Sequence, residues 1–171
     1  EHSPEPEQQD IESVDRHGKE NEMRFREEFN FLSNFFPCEI VFRGIRYPSV
    51  EHAYQALKFL REGDRWYIAK NLTAAEAKAK AKTALPEEKQ PLFEANMDLV
   101  MLTLLRLKFK AGSPLGEKLL ATASLELIEE NWWHDCYWGV CTCGRAACAE
   151  GWNHLGKLLM DVRNELMNGR L

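Results

Sequence analysis

A run from Phe29 to Leu60, FNFLSNFFPCEIVFRGIRYPSVEHAYQALKFL, sets polar residues at helical spacing inside an otherwise apolar stretch. Ser49 is suited to cap a helix running to about Leu60. On that helix Glu51, Tyr54, Gln55 and Lys58 fall on one face, while Ala53, Leu57 and Leu60 fall on the opposite one. Burying the apolar face directs a carboxylate, a phenol, an amide and an amine to one side. Such a stripe suits the floor of a cleft that acts on a polar, charged substrate.

The punctuation around this helix defines the other elements. Met23 to Phe31 and Glu39 to Tyr47 read as short strands, with Arg43-Gly44 as the hairpin turn inside the second. Glu62-Gly63-Asp64 interrupts the first helix, and a further helix is expected over Trp66 to Lys70. Thr73 and Glu76 form a capping box ahead of the alanine-rich AKAKAKTAL, and Pro86 ends that helix. The spacing of Leu92, Met97, Val100, Met101, Leu104, Leu105 and Leu107 predicts a long buried helix from Glu87 to Lys110. A short helix follows at Pro114 to Thr122, then LELIEEN as an edge strand. An aromatic and cysteine-rich loop spans Trp132 to Trp152. Asn153 is placed to cap a last helix with a stripe of Leu155, Leu158, Leu159, Val162 and Leu166. The fold class is α+β, a mostly helical single domain with a small antiparallel β-sheet near the N-terminus, covering residues 23–171.

Charge is unevenly distributed. Residues 1–22 carry eight acids against Arg16 and Lys19, which predicts a solvated, disordered acidic tail and leaves the remainder near neutral. With no basic stripe, tight nonspecific binding to long duplex nucleic acid is not expected, whereas a pocket for one modified nucleotide is compatible. A chain of 171 residues can bury roughly two thirds of its unfolded surface without staples. No apolar run approaches the roughly 20 residues of a membrane span, and the first residues are acidic where a secretory signal is basic and then apolar. A cytoplasmic monomer with no membrane partner is expected.

Five cysteines are an odd count, which argues against a disulfide framework. Cys38 stands alone as a small buried hydrophobe. Cys136, Cys141, Cys143 and Cys148 fall within thirteen residues beside His134 and His154, and four thiolates could hold zinc. The spacing C-x4-C-x-C-x4-C is not a pair of C-x2-C knuckles. The plainer reading is therefore reduced thiols in a loop and no cofactor, with structural zinc as the alternative.

Several residues are candidates for chemistry or binding. Glu51, in a first helical turn, is favoured as an anion by the helix dipole unless burial opposes it, and Asp135 in HDCYWG is a partner carboxylate. Lys58 is a phosphate contact, or an amine nucleophile if desolvation lowers its pKa. Asn34 either ties down a loop or reads a ligand. Phe31, Phe35, Trp133 and Trp138 either fill the core or stack on a base. Gly139 after Trp138 permits a close backbone approach to a ligand. The start of the last helix, with Asn153 and Gly156 and with Lys157 or Arg163 nearby, offers amides to a phosphate. No Walker pattern, dinucleotide fingerprint or G-x-S-x-G elbow is present.

Four blocks, FLSNFFP, YPSVEHAYQALKF, DCYWG and NHLGKLLMDVR, resemble in order the NADAR family, also called YbiA-like, from residue 29 to about 166. That resemblance implies a compact α+β domain with N-glycosidase activity. Some members hydrolyse phosphoribosylated pyrimidine intermediates of riboflavin synthesis, and others remove ADP-ribose from guanine bases. Carried onto this chain, the resemblance assigns catalysis to Glu51, Lys58 and Asp135. It assigns binding roles to Phe31 and Asn34 in the first block and to Asn153 and Gly156 in the last. Many members have a glycine-rich loop where this chain has VCTCGRAACAEGW. The implied substrate is ADP-ribosylated guanine in nucleotides, DNA or RNA. Alternatives are a phosphoribosyl aminopyrimidine, or binding of ADP-ribose without cleavage.

Overall fold

Ser49 starts the central helix, α1 (Val50–Ala56), because its hydroxyl accepts the His52 N–H at 3.2 Å from an extended backbone. The His52 ring ties the same cap to the next helix, with Nδ1 2.7 Å from Ser49 Oγ and Nε2 2.9 Å from the Leu72 carbonyl. Every residue of α1 is buried, including Glu51, His52 and Gln55. The computed structural model describes residues 22–148 and 150–171. The predicted acidic tail lies outside the described residues apart from Glu22.

α1 packs against α2 (Glu62–Asn71), α3 (Ala74–Thr83) and α4 (Met97–Lys108), and α4 packs in turn on α6 (His154–Met167), which also meets α5 (Pro114–Ala121). The core between them holds Met101, Leu104, Leu105 and Phe109 from α4 and its end, with Leu155, Leu159 and Val162 from α6. Each such fully buried side chain contributes roughly 1.5–3 kcal/mol. Arg43 (φ 49°) and Gly44 (φ 81°) form the predicted turn between β2 (Ile40–Phe42) and β3 (Ile45–Tyr47), an antiparallel pair in the register Phe42–Ile45. Two further ladders are parallel. β1 (Glu22–Arg24) pairs with β4 (Glu126–Ile128), and β5 (Glu130–Asn131) pairs with β6 (Val140–Cys141). No described helix is long and apolar enough to cross a membrane.

The α+β, mostly helical class with its small antiparallel hairpin holds, but several boundaries move. The strand predicted from Met23 stops at Arg24 and gives way to a 3-10 helix over Glu27–Leu32. α1 ends at Ala56, where Lys58 and Phe59 N–H groups bond three residues back, and Leu60 is left half exposed. Glu62-Gly63-Asp64 opens α2 rather than interrupting structure. The Thr73–Glu76 capping box is present as predicted.

The long helix from Glu87 does not form, and α4 begins only at Met97. Pro91 lacks an N–H and disfavours helical backbone at Gln90, and Leu92 adopts φ 61°. The segment before α4 instead pairs with the end of α1. Leu60 N–H reaches Glu88 O at 2.8 Å, and Gln90 N–H reaches Lys58 O at 2.7 Å. This pairing fixes the backbone that carries Lys58.

Candidate active site

The polar face of α1 floors an inner pocket of about 210 Å³, where Glu51, Tyr54, Gln55 and Lys58 are joined by Asn34, Glu129, Asp135 and Trp138. Gln55 Nε2 donates to Glu51 Oε1 at 2.8 Å and fixes the carboxylate. The Asn34 loop is held from two sides, by Glu51 N–H on Asn34 O at 2.9 Å and by Lys108 Nζ on Ser33 O at 2.7 Å. Asp135 is held by its backbone, which exchanges hydrogen bonds of 2.7 and 3.1 Å with the Asn131 amide. Its Oδ1 accepts the Trp138 backbone N–H at 2.9 Å, and the Trp138 indole stands edge-on to Tyr54 with ring centroids 5.6 Å apart.

Asn34 Oδ1 and Gln55 Oε1 are buried and find no donor among the described residues. An unmade hydrogen bond of that kind costs about 1–3 kcal/mol, which a donor on a bound ligand would offset. At the rim, Lys78 Nζ lies 5.8 Å from both the Phe35 and Trp133 ring centroids. Tyr54, Gln55, Lys58, Lys78 and Trp138 also line a larger groove of about 980 Å³. Lys82, Lys89, Phe93 and Tyr137 add charge and aromatic faces to it. Lys58 stands between the two compartments, 4.8 Å from the Tyr54 ring centroid and 5.8 Å from that of Phe93.

Burial decides the protonation of this site. Desolvation pushes the Glu51 carboxyl up, against the Gln55 hydrogen bond and the charges of Lys78 and Lys58. The helix dipole, which favours its anion, is thus opposed by burial. Glu129 is pushed up to about 7, mainly by burial and then by the Asp135 charge. Burial in so small a pocket thus favours the protonated form of both Glu51 and Glu129 relative to a free carboxyl. Burial also lowers the Lys58 ammonium, opposed by Glu51. Lys108 falls to about 8 for the same reason, at 4% exposure, and serves to hold Ser33.

The structure thus brings Glu51, Lys58 and Asp135 together, with Asn34, Phe35, Tyr54, Gln55 and Trp138 around them. Four predicted binding residues stand elsewhere. Phe31 is 4% exposed and packs edge-on against Phe109 in the core. Asn153 makes no side-chain cap on α6, and its amide bonds the backbone of β4 and Glu129 instead. A Cβ on Gly156 would lie 2.0 Å from Leu127 O, and one on Gly139 would lie 2.2 Å from Glu129 O, so both glycines serve close packing rather than a ligand. Glu129 and Lys78 were not singled out by the sequence. The convergent thiols also differ from the predicted set, since His134 joins Cys141, Cys143 and Cys148 while Cys136 does not.

A model of the NADAR domain family matches residues 19–167. An N-glycosidase of Nostoc punctiforme is 36% identical over 144 residues, covering 82% of this chain and 87% of the relative. The N-glycosidase YbiA of Escherichia coli is 34% identical over 143 residues, covering 82% and 83%. A riboflavin biosynthesis protein of Vibrio vulnificus is 35% identical over 140 residues, 82% of this chain, and the match spans 36% of that longer protein. The NMR structure of Escherichia coli YbiA superposes with a TM-score of 0.74 at 30% identity, covering 92% of each chain.

Proposed function

The chain belongs to the NADAR domain family, and from that premise we propose that it is an N-glycosidase hydrolysing the C1–N bond of a phosphorylated riboside. The observation that carries this reading is the buried Glu51, fixed by Gln55 at 2.8 Å in a pocket shared with Asp135, Glu129 and Lys58. Breaking the bond leaves C1 electron-poor and sends the electron pair to the base nitrogen, which takes a proton, while the hydroxyl of water ends on C1. Glu51 favours the electron-poor carbon through its charge, acting in a water-poor pocket where such a contact is strong. Glu129, titrating near neutrality, supplies the proton to the leaving base. Lys58 either contacts a phosphate or attacks C1 as an amine, and its burial favours the second role.

The substrate reading is ADP-ribosylated guanine. The outer groove lies at the upper end of ligand-pocket sizes, with room beyond a single phosphoribosyl group. Lys58, Lys78, Lys82 and Lys89 match a pyrophosphate, and Phe93, Tyr137 and Trp138 offer faces to an adenine. Phe35 and Trp133, both part-exposed beside Lys78, border the pocket where the modified guanine would enter. A second reading, cleavage of a phosphoribosyl aminopyrimidine, is favoured by the name of the Vibrio vulnificus relative.

Incubating the protein with ADP-ribosylated guanine DNA and, separately, with a phosphoribosyl aminopyrimidine tests both readings. Release of free ADP-ribose from the first, with little turnover of the second, is the expected result. Turnover of the second alone selects the alternative. Tight binding of ADP-ribose with neither bond cleaved would make the protein a reader and overturn the catalytic reading.

A further inference from the structure

Among its described residues, the loop between Asn131 and Asn153 holds only the two-residue β6 and one 3-10 turn, Ala146–Cys148. Loops of that extent inside a compact domain need fixing of their own. Within it the ligating atoms of His134, Cys141, Cys143 and Cys148 all lie within 4.8 Å of one another. His134 Nδ1 is 3.9 Å from Cys141 Sγ and 3.7 Å from Cys148 Sγ.

A tetrahedral zinc with Zn–S of about 2.3 Å and Zn–N of about 2.0–2.1 Å sets nitrogen about 3.6 Å from each sulfur, and sulfurs about 3.8 Å apart. The side chains therefore already stand within tenths of an ångström of that geometry at the two measured edges. The backbone is shaped to the same end. His134 adopts φ 70° and Gly144 φ 77°, so two left-handed residues bend the loop around the cluster. Arg145 N–H points at Cys143 Sγ at 3.5 Å, the kind of contact that supports a coordinated thiolate. Cys141 and Cys148 are buried, Cys143 is half-buried and His134 is exposed, so the cluster is seated on the protein side and closed by the histidine at the surface.

We propose that His134, Cys141, Cys143 and Cys148 bind one zinc ion in a closed structural site. Three thiolates and one imidazole are a soft donor set that selects zinc over the hard cations. Four protein ligands leave no open position for substrate or water, so the ion is structural and not catalytic. Cys136, which lies beside Cys148, is outside the ligand set. Because His134 sits directly between Trp133 and Asp135, the ion anchors the chain that supplies both residues to the inner pocket. The site stands on its own geometry and does not depend on the substrate reading.

The test is metal analysis of the full chain purified under reducing conditions. One zinc per chain is expected, and replacement by cobalt(II) should give tetrahedral d–d bands with thiolate charge-transfer absorption. Cys148→Ser and Cys141→Ser should lose the metal, while Cys136→Ser should keep it. Stripping the wild-type protein with a chelator should lower Tm by about 10 °C or more, reversed on adding zinc. The cobalt spectrum and chelator experiment use the wild-type chain, so variants that fail to fold do not block the test. A stripped protein that takes up no zinc, a Cys141–Cys148 disulfide in place of metal, or loss of zinc in Cys136→Ser equal to that in Cys148→Ser would overturn the proposal.

Discussion

The side-chain amide of Asn153 holds the backbone around Glu129: its Oδ1 accepts Glu129 N–H at 3.0 Å, while its Nδ2 donates to Leu127 O at 2.8 Å. From the other side, Val140 N–H reaches Glu129 O at 2.7 Å, and Gly139 lies so close to that oxygen that no side chain fits. Three residues expected to meet a ligand, Gly139, Asn153 and Gly156, thus act on the junction of β4 and β5 that delivers the half-buried Glu129 carboxyl to the pocket. Their link to function runs through position, and each can be tested as a positioning residue.

Replacing Asn153 with Asp separates its two bonds. The carboxylate still accepts from Glu129 but meets Leu127 O with no donor, so a loss of about 1–3 kcal/mol in unfolding free energy is expected from chemical denaturation. Asn153→Ala removes both contacts and should cost more. If neither variant moves the denaturation midpoint, the clamp is not a determinant of the fold.

Gly156→Ala is expected to destabilise by about 1–3 kcal/mol or more, because the new methyl meets a backbone oxygen of β4 that cannot rotate away. Gly63→Ala, in α2 with nothing within 4 Å, is the control and should be neutral or stabilising by up to about 1 kcal/mol. Equal thermal midpoints for the two would show that α6 can shift off β4 without cost.

Glu51→Gln keeps shape and the neighbouring Gln55 contact while removing the charge. Turnover should fall about a hundredfold, corresponding to roughly 3 kcal/mol of transition-state stabilisation, with the fold unchanged by circular dichroism. A variant that retains more than about half the wild-type rate on a verified substrate would make Glu51 structural.

What could be read from the sequence follows from how local each signal is. Ser49, the Thr73–Glu76 box and the Arg43-Gly44 turn are defined within four residues, and each stands where the sequence puts it. The helix expected from Glu87 does not form there, because Pro91 overrides the leucine spacing. Glu129 had no local mark in LELIEEN, where three glutamates look alike. Only tertiary placement sends Glu126 to solvent, Glu130 to Arg24 and Arg26, and Glu129 into the pocket. Lys78 carried a weak signal. In AKAKAK, Lys78 and Lys82 share a helical face and both line the groove, whereas Lys80 turns to Asp64 at 3.9 Å. His134 stands beside the cysteines in the sequence, but cysteine spacing alone does not put it in the convergent set in place of Cys136.

Glu129 sets a pH dependence of definite sign. Its folded pKa near 7 lies above the ordinary 4.5, so the folded state binds more protons between those values, and stability falls as pH rises through that window. Glu129→Gln should flatten that part of the stability curve. If the carboxyl donates the proton to the leaving base, the wild-type rate should also decline above about pH 7, and the variant should be slow with that limb gone. An unchanged alkaline limb in Glu129→Gln would assign the proton donor elsewhere.

Lys58 separates two routes to the same products. Burial lowers its ammonium pKa, and the three acids beside it can accept the proton an amine must lose before it attacks. On the amine route, Nζ bonds C1 as the bond to the base breaks, the ring oxygen takes a proton as the sugar opens, and water then hydrolyses the resulting imine to restore Lys58. Borohydride added during turnover should reduce that imine to a stable secondary amine, and peptide mass spectrometry should place the sugar adduct on Lys58. Arginine cannot form the imine but can hold a phosphate, so Lys58→Arg is expected to lose turnover while still binding ADP-ribose. An active Lys58→Arg with no trapped adduct would return Lys58 to the role of phosphate contact and leave water to attack C1 directly.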